Sequence, residues 1–284
     1  MVAVSEPKGE ILQEWRDSAP FWRKHGPTIR TMFAPVTAAL IEEAGIKAGQ
    51  KVLDVAGGPG EPSLTIAEVV GPTGSVTCTD PVAEMVDAAA IEAARRGLSN
   101  VEFRQCSADS LPFQDESYDA VVSRLGVMFF PDPLAGLREM LRVTKAGGSL
   151  SLVVWSKSEA NPFSYLVTRT ISKYVDVSQQ PPCANEAFRF AESGVLAELL
   201  QGAGAIHTRE RVLQFDIQAR ISPAEFWAMR SETSGTLREK LALLSEADRH
   251  SVEREILDAV RPFFTHDEMK FPGQMILVTG IKPS

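Results

Sequence analysis

The chain has 284 residues, 44% hydrophobic and 23% charged, which supports a sizeable packed core and excludes extended disorder as the general state. Its formal net charge is −8, with a pI near 5.2, and no run of lysine and arginine offers the basic face that a phosphate backbone requires. That balance argues against a nucleic-acid partner.

In chain order, the first residues, Met1 to Lys8, show neither the basic nor the apolar region of a signal peptide. An aromatic-rich helical segment follows, with Trp15, Phe21, Trp22, His25, Met32 and Phe33. These side chains either close over a ligand or simply pack the helix onto the core. From Lys51 onward, β-branched runs alternate with helical patterns, the rhythm of a parallel sheet covered on both faces. The expected strands are Lys51–Val55, Ser75–Thr79, Val101–Gln105, Ala120–Ser123 and Ser149–Trp155. Helices are expected near Pro62–Val70, Val82–Arg96 and Pro133–Val143, the last entered through an Asp132 N-cap with proline at its first position. Gly147-Gly148 reads as a helix stop.

After Trp155 the rhythm changes. Helical patterns at Pro162–Val175, Ser193–Gln201 and 223–262 surround a Gln179-Gln180-Pro181-Pro182 loop and a strand at Ile206–Ile217. A last strand, Gln274–Ile281, predicts an antiparallel pair at one edge of the sheet. The longest apolar stretch, Ala120 to Phe130, contains Arg124 and is too short to span a bilayer, so no membrane insertion is expected. Cys78, Cys106 and Cys183 form an odd set without metal-ligand spacing; the first two fall in or beside expected buried strands, which fits a reducing, cytoplasmic setting.

The most informative segment is Asp54-Val55-Ala56-Gly57-Gly58-Pro59-Gly60, where a buried strand enters a glycine-dense turn before a helix. Glycines there allow close backbone approach, and the helix N-terminus offers unpaired N–H groups. Asp80 ends the second strand 20 residues beyond Gly60, placed to accept the hydroxyls of an adenosine ribose or to cap the helix after Pro81. Asp54 lies inside the first strand, where a carboxylate is costly unless it meets an ammonium-bearing ligand or a loop amide. Cys106-Ser107-Ala108-Asp109 puts small polar residues at the carboxyl edge of the third strand.

This order resembles the class I S-adenosylmethionine-dependent methyltransferases, closely from about Gly49 to Trp155, and most of all the ubiquinone/menaquinone biosynthesis C-methyltransferase subgroup. The resemblance implies an α/β, Rossmann-like, seven-stranded and mostly parallel sheet, with an antiparallel C-terminal edge strand and helical lid segments. Asp54 fills the family's acidic position, and Ala56, Gly58 and Gly60 fill its three glycine positions, with Gly57 between them; Ala56 departs from the pattern. By the same resemblance Asp80 holds the ribose of S-adenosyl-L-methionine, Pro81 and Met85 lie against the adenine, and Ser107 or Asp109 serves its amino group beside the Ala108 amide. Ser123 and Arg124 open the loop that borders the methionine end and the substrate.

The chain then divides as one methyltransferase domain, 1–284: an N-terminal helical lid at 1–48, a cofactor-binding core at 49–156, helical substrate caps at 157–190 and 221–270, and the remaining sheet at 191–220 and 271–284. The turn Ser123-Arg124-Leu125-Gly126 lacks the proline pair of nucleic-acid amino-methyltransferases and the acidic metal ligands of catechol-type enzymes, so no metal is expected. The expected substrate is small and partly apolar, methylated at carbon, oxygen or nitrogen. Trp22, Arg124 and Phe129 are its candidate contacts, and His25 is the candidate base. Phe163, Tyr165, Phe226, Trp227 and Met229 either line an apolar pocket or belong to the core. One rival is a protein that binds the same cofactor without methyl transfer. The other is an NAD-dependent oxidoreductase, whose Gly-x-Gly-x-x-Gly pattern fails at Ser63.

Overall fold

A computed structural model describes residues 7–175 and 187–284; Cys183 and the 179–182 loop lie outside the described residues. The sheet grows from short buried runs. Strand β1 (Lys51–Val55) buries every residue after its first, and β2 (Ser75–Asp80) pairs with it in parallel, Asp54 opposite Cys78. Strands β3 (Val101–Gln105), β4 (Tyr118–Arg124) and β5 (Thr144–Trp155) complete the parallel part. The long strands β6 (Ile206–Ala219) and β8 (Glu268–Ile281) and the two-residue β7 (Phe264–Thr265) finish an eight-stranded sheet of order β3-β2-β1-β4-β5-β8-β6, with β7 on β8. Strand order reverses between β1 and β4, which opens a crevice outside their carboxyl ends.

The antiparallel pair stands at one edge of the sheet. Within it, however, the C-terminal strand is not outermost: β8 is inserted between β5 and β6, antiparallel to both, and β6 is the edge. Strand β8 also starts six residues before the expected Gln274, running through Pro272 and Gly273, residues that normally punctuate strands. Gly273 fits because a Cβ there would come within 2.8 Å of the Phe215 ring on β6. Gly147 is likewise no helix stop. The preceding helix ends at Val143, and Gly147 sits at φ +73° inside β5, its amide bonded to the Lys282 carbonyl.

The helices between the strands are α2 (Ser63–Val70), α3 (Ala83–Arg95) and α4 (Pro133–Val143), the last capped by Asp132, which accepts from the Ala135 amide. Helix α1 (Pro7–Glu43) is far longer than an aromatic lid alone requires; it packs on β5 and β6 and against α3. Three proline positions, Pro20, Pro27 and Pro35, lie inside it. Helix α5 (Pro162–Ile171) follows β5, and α6 (Val195–Gly202) precedes β6. The expected helical run 223–262 is three helices, α7 (Pro223–Thr233), α8 (Gly235–Ala242) and α9 (Glu246–Val260). Serines divide them: Ser234 accepts from the Leu237 amide and Ser245 from the Asp248 amide, each starting a new helix. Helix α1 also packs against α7 and α8, while α5 packs on α9 and β8, so sequence-distant segments gather over one end of the sheet. No described helix is long and apolar enough to cross a membrane.

Asn161 fixes where α5 departs. Fully buried, it accepts from the Gln274 amide of β8 at 2.8 Å and donates to the Lys157 carbonyl at 3.0 Å. Replacing it by alanine orphans the strand amide of Gln274 and leaves the Lys157 carbonyl with the Ala160 amide alone. We expect Asn161→Ala to lower unfolding free energy by about 2–4 kcal/mol in urea titrations. A loss below about 0.5 kcal/mol would contradict that role.

Candidate functional site

At the carboxyl end of β1 the chain turns so tightly that side chains have no room. A Cβ on Gly57 would come within 2.7 Å of Asp54 Oδ2 and 2.8 Å of Cys78 Sγ, and one on Gly60 within 2.9 Å of Leu64. Gly58 differs: at φ +54° it faces open space, where a ligand can meet bare backbone. Ala56, the departure from the glycine pattern, adopts φ +59°, a conformation that disfavours any Cβ. Its methyl group occupies the space that a Cβ at Gly126 would enter, 2.7 Å away, so the loops after β1 and β4 interlock through one methyl and one glycine.

Asp54 pins this turn from behind. Its Oδ2 accepts from the Ser63 hydroxyl at 2.5 Å and the Ser63 amide at 3.1 Å, while Oδ1 is buried with no partner. Burial, opposed by Ser63 and by the nearby Arg124 charge, raises its pKa to about 6. Asp80 accepts from the Val82 amide at 2.9 Å and the Gly58 amide at 3.0 Å, and burial raises its pKa to about 6 as well. Asp80 is not the helix cap, since the N-cap of α3 is Val82; its bond to the Val82 amide instead holds the turn ahead of the helix, and each of its oxygens keeps a second lone pair as a free acceptor.

These groups open onto a cavity of about 520 Å³. One half is walled by Ala56, Gly57, Gly58, Asp80, Pro81 and Met85, together with Ser107, Ala108, Asp109 and Arg124. Asp54, Gly60 and Ser123 do not line it; they lie behind the wall. Ser123 is fully buried with an unpartnered hydroxyl, squeezed against Gly126. The rest of the lining is largely apolar, with Trp15, Trp22, Met32, Phe33, Phe129, Trp155, Phe163 and Met229, and Trp15 and Trp22 join it to the first half by packing in one cluster with Met85. Trp15 meets Phe129 edge-on, with ring centroids 5.2 Å apart, and meets Trp22 at a tilt of 51°, 5.9 Å away. Phe226 belongs to the core, and Tyr165 and Trp227 do not reach the cavity.

His25 takes no place in this wall. It points at α7, where its Nε2 lies 2.6 Å from Glu232, beside a Lys24–Glu232 ion pair at 2.7 Å. Three residues apart, Trp22 and His25 share a face of α1 turned toward α7, where Trp22 donates to the Thr233 carbonyl and His25 is taken up by Glu232. Arg124 lies in the wall, but neither as a bare substrate hook nor as half of an ion pair. It donates to Thr37 Oγ1 of α1 at 2.7 Å and to the Glu61 carbonyl at 3.0 Å, with its Nε unpartnered. Burial lowers its pKa, against the pull of Glu61 and Asp54. Sequence reasoning missed two cations of the apolar half, Arg230 and Lys240. Arg230 follows the apolar Phe226–Met229 and has no acid three or four residues away on either side, a pattern that marks a charge committed elsewhere. No cluster of metal-ligating side chains occurs among the described residues.

The comparisons agree with this geometry. Residues 37–175 match the ubiE/COQ5 methyltransferase family. The chain is 31% identical over 226 residues to the Mycobacterium tuberculosis protein Rv1405c, covering 78% of this chain and 80% of that one. It is 38% identical over 125 residues to the ubiquinone/menaquinone biosynthesis C-methyltransferase UbiE of Pseudomonas aeruginosa, 44% of this chain and 49% of that enzyme. Its fold is similar to that of an S-adenosylmethionine-dependent methyltransferase from Aquifex aeolicus (TM-score 0.52, 24% identity, 69% of this chain and 92% of that one). The chain belongs to the class I S-adenosylmethionine-dependent methyltransferases, in the ubiE/COQ5-like subgroup. It is therefore an enzyme whose cofactor is S-adenosylmethionine.

The residues present fit that cofactor. Gly58 leaves bare backbone, Asp80 keeps acceptor capacity for a ribose, Pro81 and Met85 give an apolar face, and an uncompensated carboxylate oxygen stands behind the loop.

Two measurements test this turn. Ala56→Gly relieves a left-handed Cβ and should raise stability by up to about 1 kcal/mol, seen as a higher urea midpoint at unchanged slope; a lower midpoint would show that the Ala56–Gly126 contact outweighs the strain. For Asp54, the unfolded carboxyl ionises near pH 4 and the folded one near 6. The folded state thus keeps the proton longer, so stability falls as pH rises through that window and stays lower above it. Asp54→Asn should therefore stabilise the ligand-free protein more at pH 8 than at pH 4.5, by at most about 3 kcal/mol. A pH-independent difference would contradict the raised pKa.

Proposed function

We propose that this enzyme methylates a small, partly apolar molecule held in the apolar half of the cavity, by in-line displacement. The observation that carries this reading is the continuity of one 520 Å³ space from the glycine turn to the aromatic cap. Cofactor and acceptor can meet there without crossing solvent. Asp80 holds the ribose, Pro81 and Met85 flank the adenine against Ala108, and Ser107 and Asp109 stand at its polar rim. When bound, the cofactor supplies an electrophilic methyl group on a sulfonium.

The remaining work belongs to the chain. Trp15, Trp22 and Phe129 bury the acceptor and exclude water, while the interlocked Ala56 and Gly126 loops fix the angle of approach. No histidine lines the cavity among the described residues, which favours an acceptor that reacts without an imidazole base. Carbon, oxygen and nitrogen acceptors of that kind all suit the site. Small-molecule action in the cytoplasm is part of the same reading, supported by the lack of a basic run and by the free thiols Cys78 and Cys106.

The test has two parts. Calorimetry should show S-adenosylhomocysteine binding, weakened about ten- to a hundred-fold by Asp80→Ala. Incubation with methyl-labelled cofactor and a panel of phenols, quinols, indoles and amines should yield labelled product. Tight cofactor binding without transfer to any member would favour a repurposed cofactor binder instead, and NADH binding in its place would overturn the reading.

A further inference from the structure

Arg230 stands in the apolar half of the cavity, and no described residue neutralises it. Its Nε is buried without a hydrogen-bond partner, and the guanidinium lies over the Phe163 ring, 4.9 Å from its centroid. No carboxylate among the described residues pairs with it. The acids that line the cavity nearest the cap are engaged elsewhere: Glu14 accepts from the Thr236 amide and hydroxyl, and Asp132 caps α4. Arg124, by contrast, is already committed to Thr37 and Glu61. Burial lowers the Arg230 pKa, to about 10, and no acid among the described residues opposes it. Lys240, buried in the same wall, has its pKa lowered by burial and likewise has no acidic partner among the described residues.

A cation desolvated in this way is costly unless an anion meets it, and the described residues supply none. We propose that the methyl acceptor carries a carboxylate and that Arg230 binds it, with Phe163 bracing the guanidinium and the aromatic cap enclosing the rest of the molecule. The planar fork of arginine matches two carboxylate oxygens side by side, and a ring stacked on one face leaves its edge free for them. The substrate class is thus a small aromatic or alicyclic acid. This rests on the methyltransferase reading above and narrows it.

The experiment uses the full chain saturated with S-adenosylhomocysteine, titrated calorimetrically with 1-naphthoate, its uncharged amide 1-naphthamide, and 1-naphthyl phosphate. The wild type should bind naphthoate at least about tenfold more tightly than the amide, and more tightly than the phosphate. Arg230→Met should erase the preference for acid over amide, and Arg230→Lys should retain part of it, both with unchanged S-adenosylhomocysteine affinity as the measure of an intact fold. Equal binding of acid and amide, a preference that survives Arg230→Met, no detectable naphthoate binding, or a preference for the phosphate would each overturn the inference. Failure of the wild type to bind S-adenosylhomocysteine is a separate result, which would remove the methyltransferase reading itself.

Discussion

The turn after β1 depends on one constraint: the backbone at Gly57 lies so close to Asp54 and Cys78 that no side chain fits between. That closeness lets Asp54 reach past the turn to Ser63 and tie the end of a strand to the start of a helix. Everything at the cofactor wall follows from the tie. The Gly58 amide is brought to Asp80, Ala56 is driven against the Gly126 loop, and Arg124 is left to bridge Glu61 and α1. The charge that performs this work is itself uncomfortable. One of its oxygens is unsatisfied, and folding tolerates it because the geometry it enforces is the geometry of the site.

Much of this was legible in the residues. The alternation of β-branched runs with helical patterns located all five parallel strands, because that signal is local and repeats. The glycine turn and Asp80 were equally plain, since both depend on residue type at fixed spacing. What escaped notice depends on contacts between distant segments. The first six residues of β8 hide behind Pro272 and Gly273, the latter seated against Phe215 across the ladder. Its insertion beside β5 is a matter of pairing partners, which periodicity does not encode.

The site divides along the same line. Residues of the cofactor wall could be named because they follow strands in order. The cap draws on α1, α5, α7 and α8, so which face of each turns inward is settled only by their packing. His25 and Arg230 illustrate the two errors this allows. His25 has the right chemistry and faces Glu232; Arg230 looks like an ordinary basic residue in the last turn of a helix and faces the cavity. A contrast of that kind needs three dimensions.

Helix α1 touches both halves of the cavity. Near its C-terminal end Thr37 receives Arg124 of the cofactor wall, and further back Trp22 donates to the Thr233 carbonyl while Lys24 and His25 hold Glu232, all on α7 of the cap. One rod is thus hitched to both chambers. Its seat is common to both, so a displacement imposed on it at one chamber is felt at the other. The coupling is reciprocal by necessity: an acceptor that settles the rod must tighten the hold on the cofactor by the same factor as the cofactor tightens the hold on it.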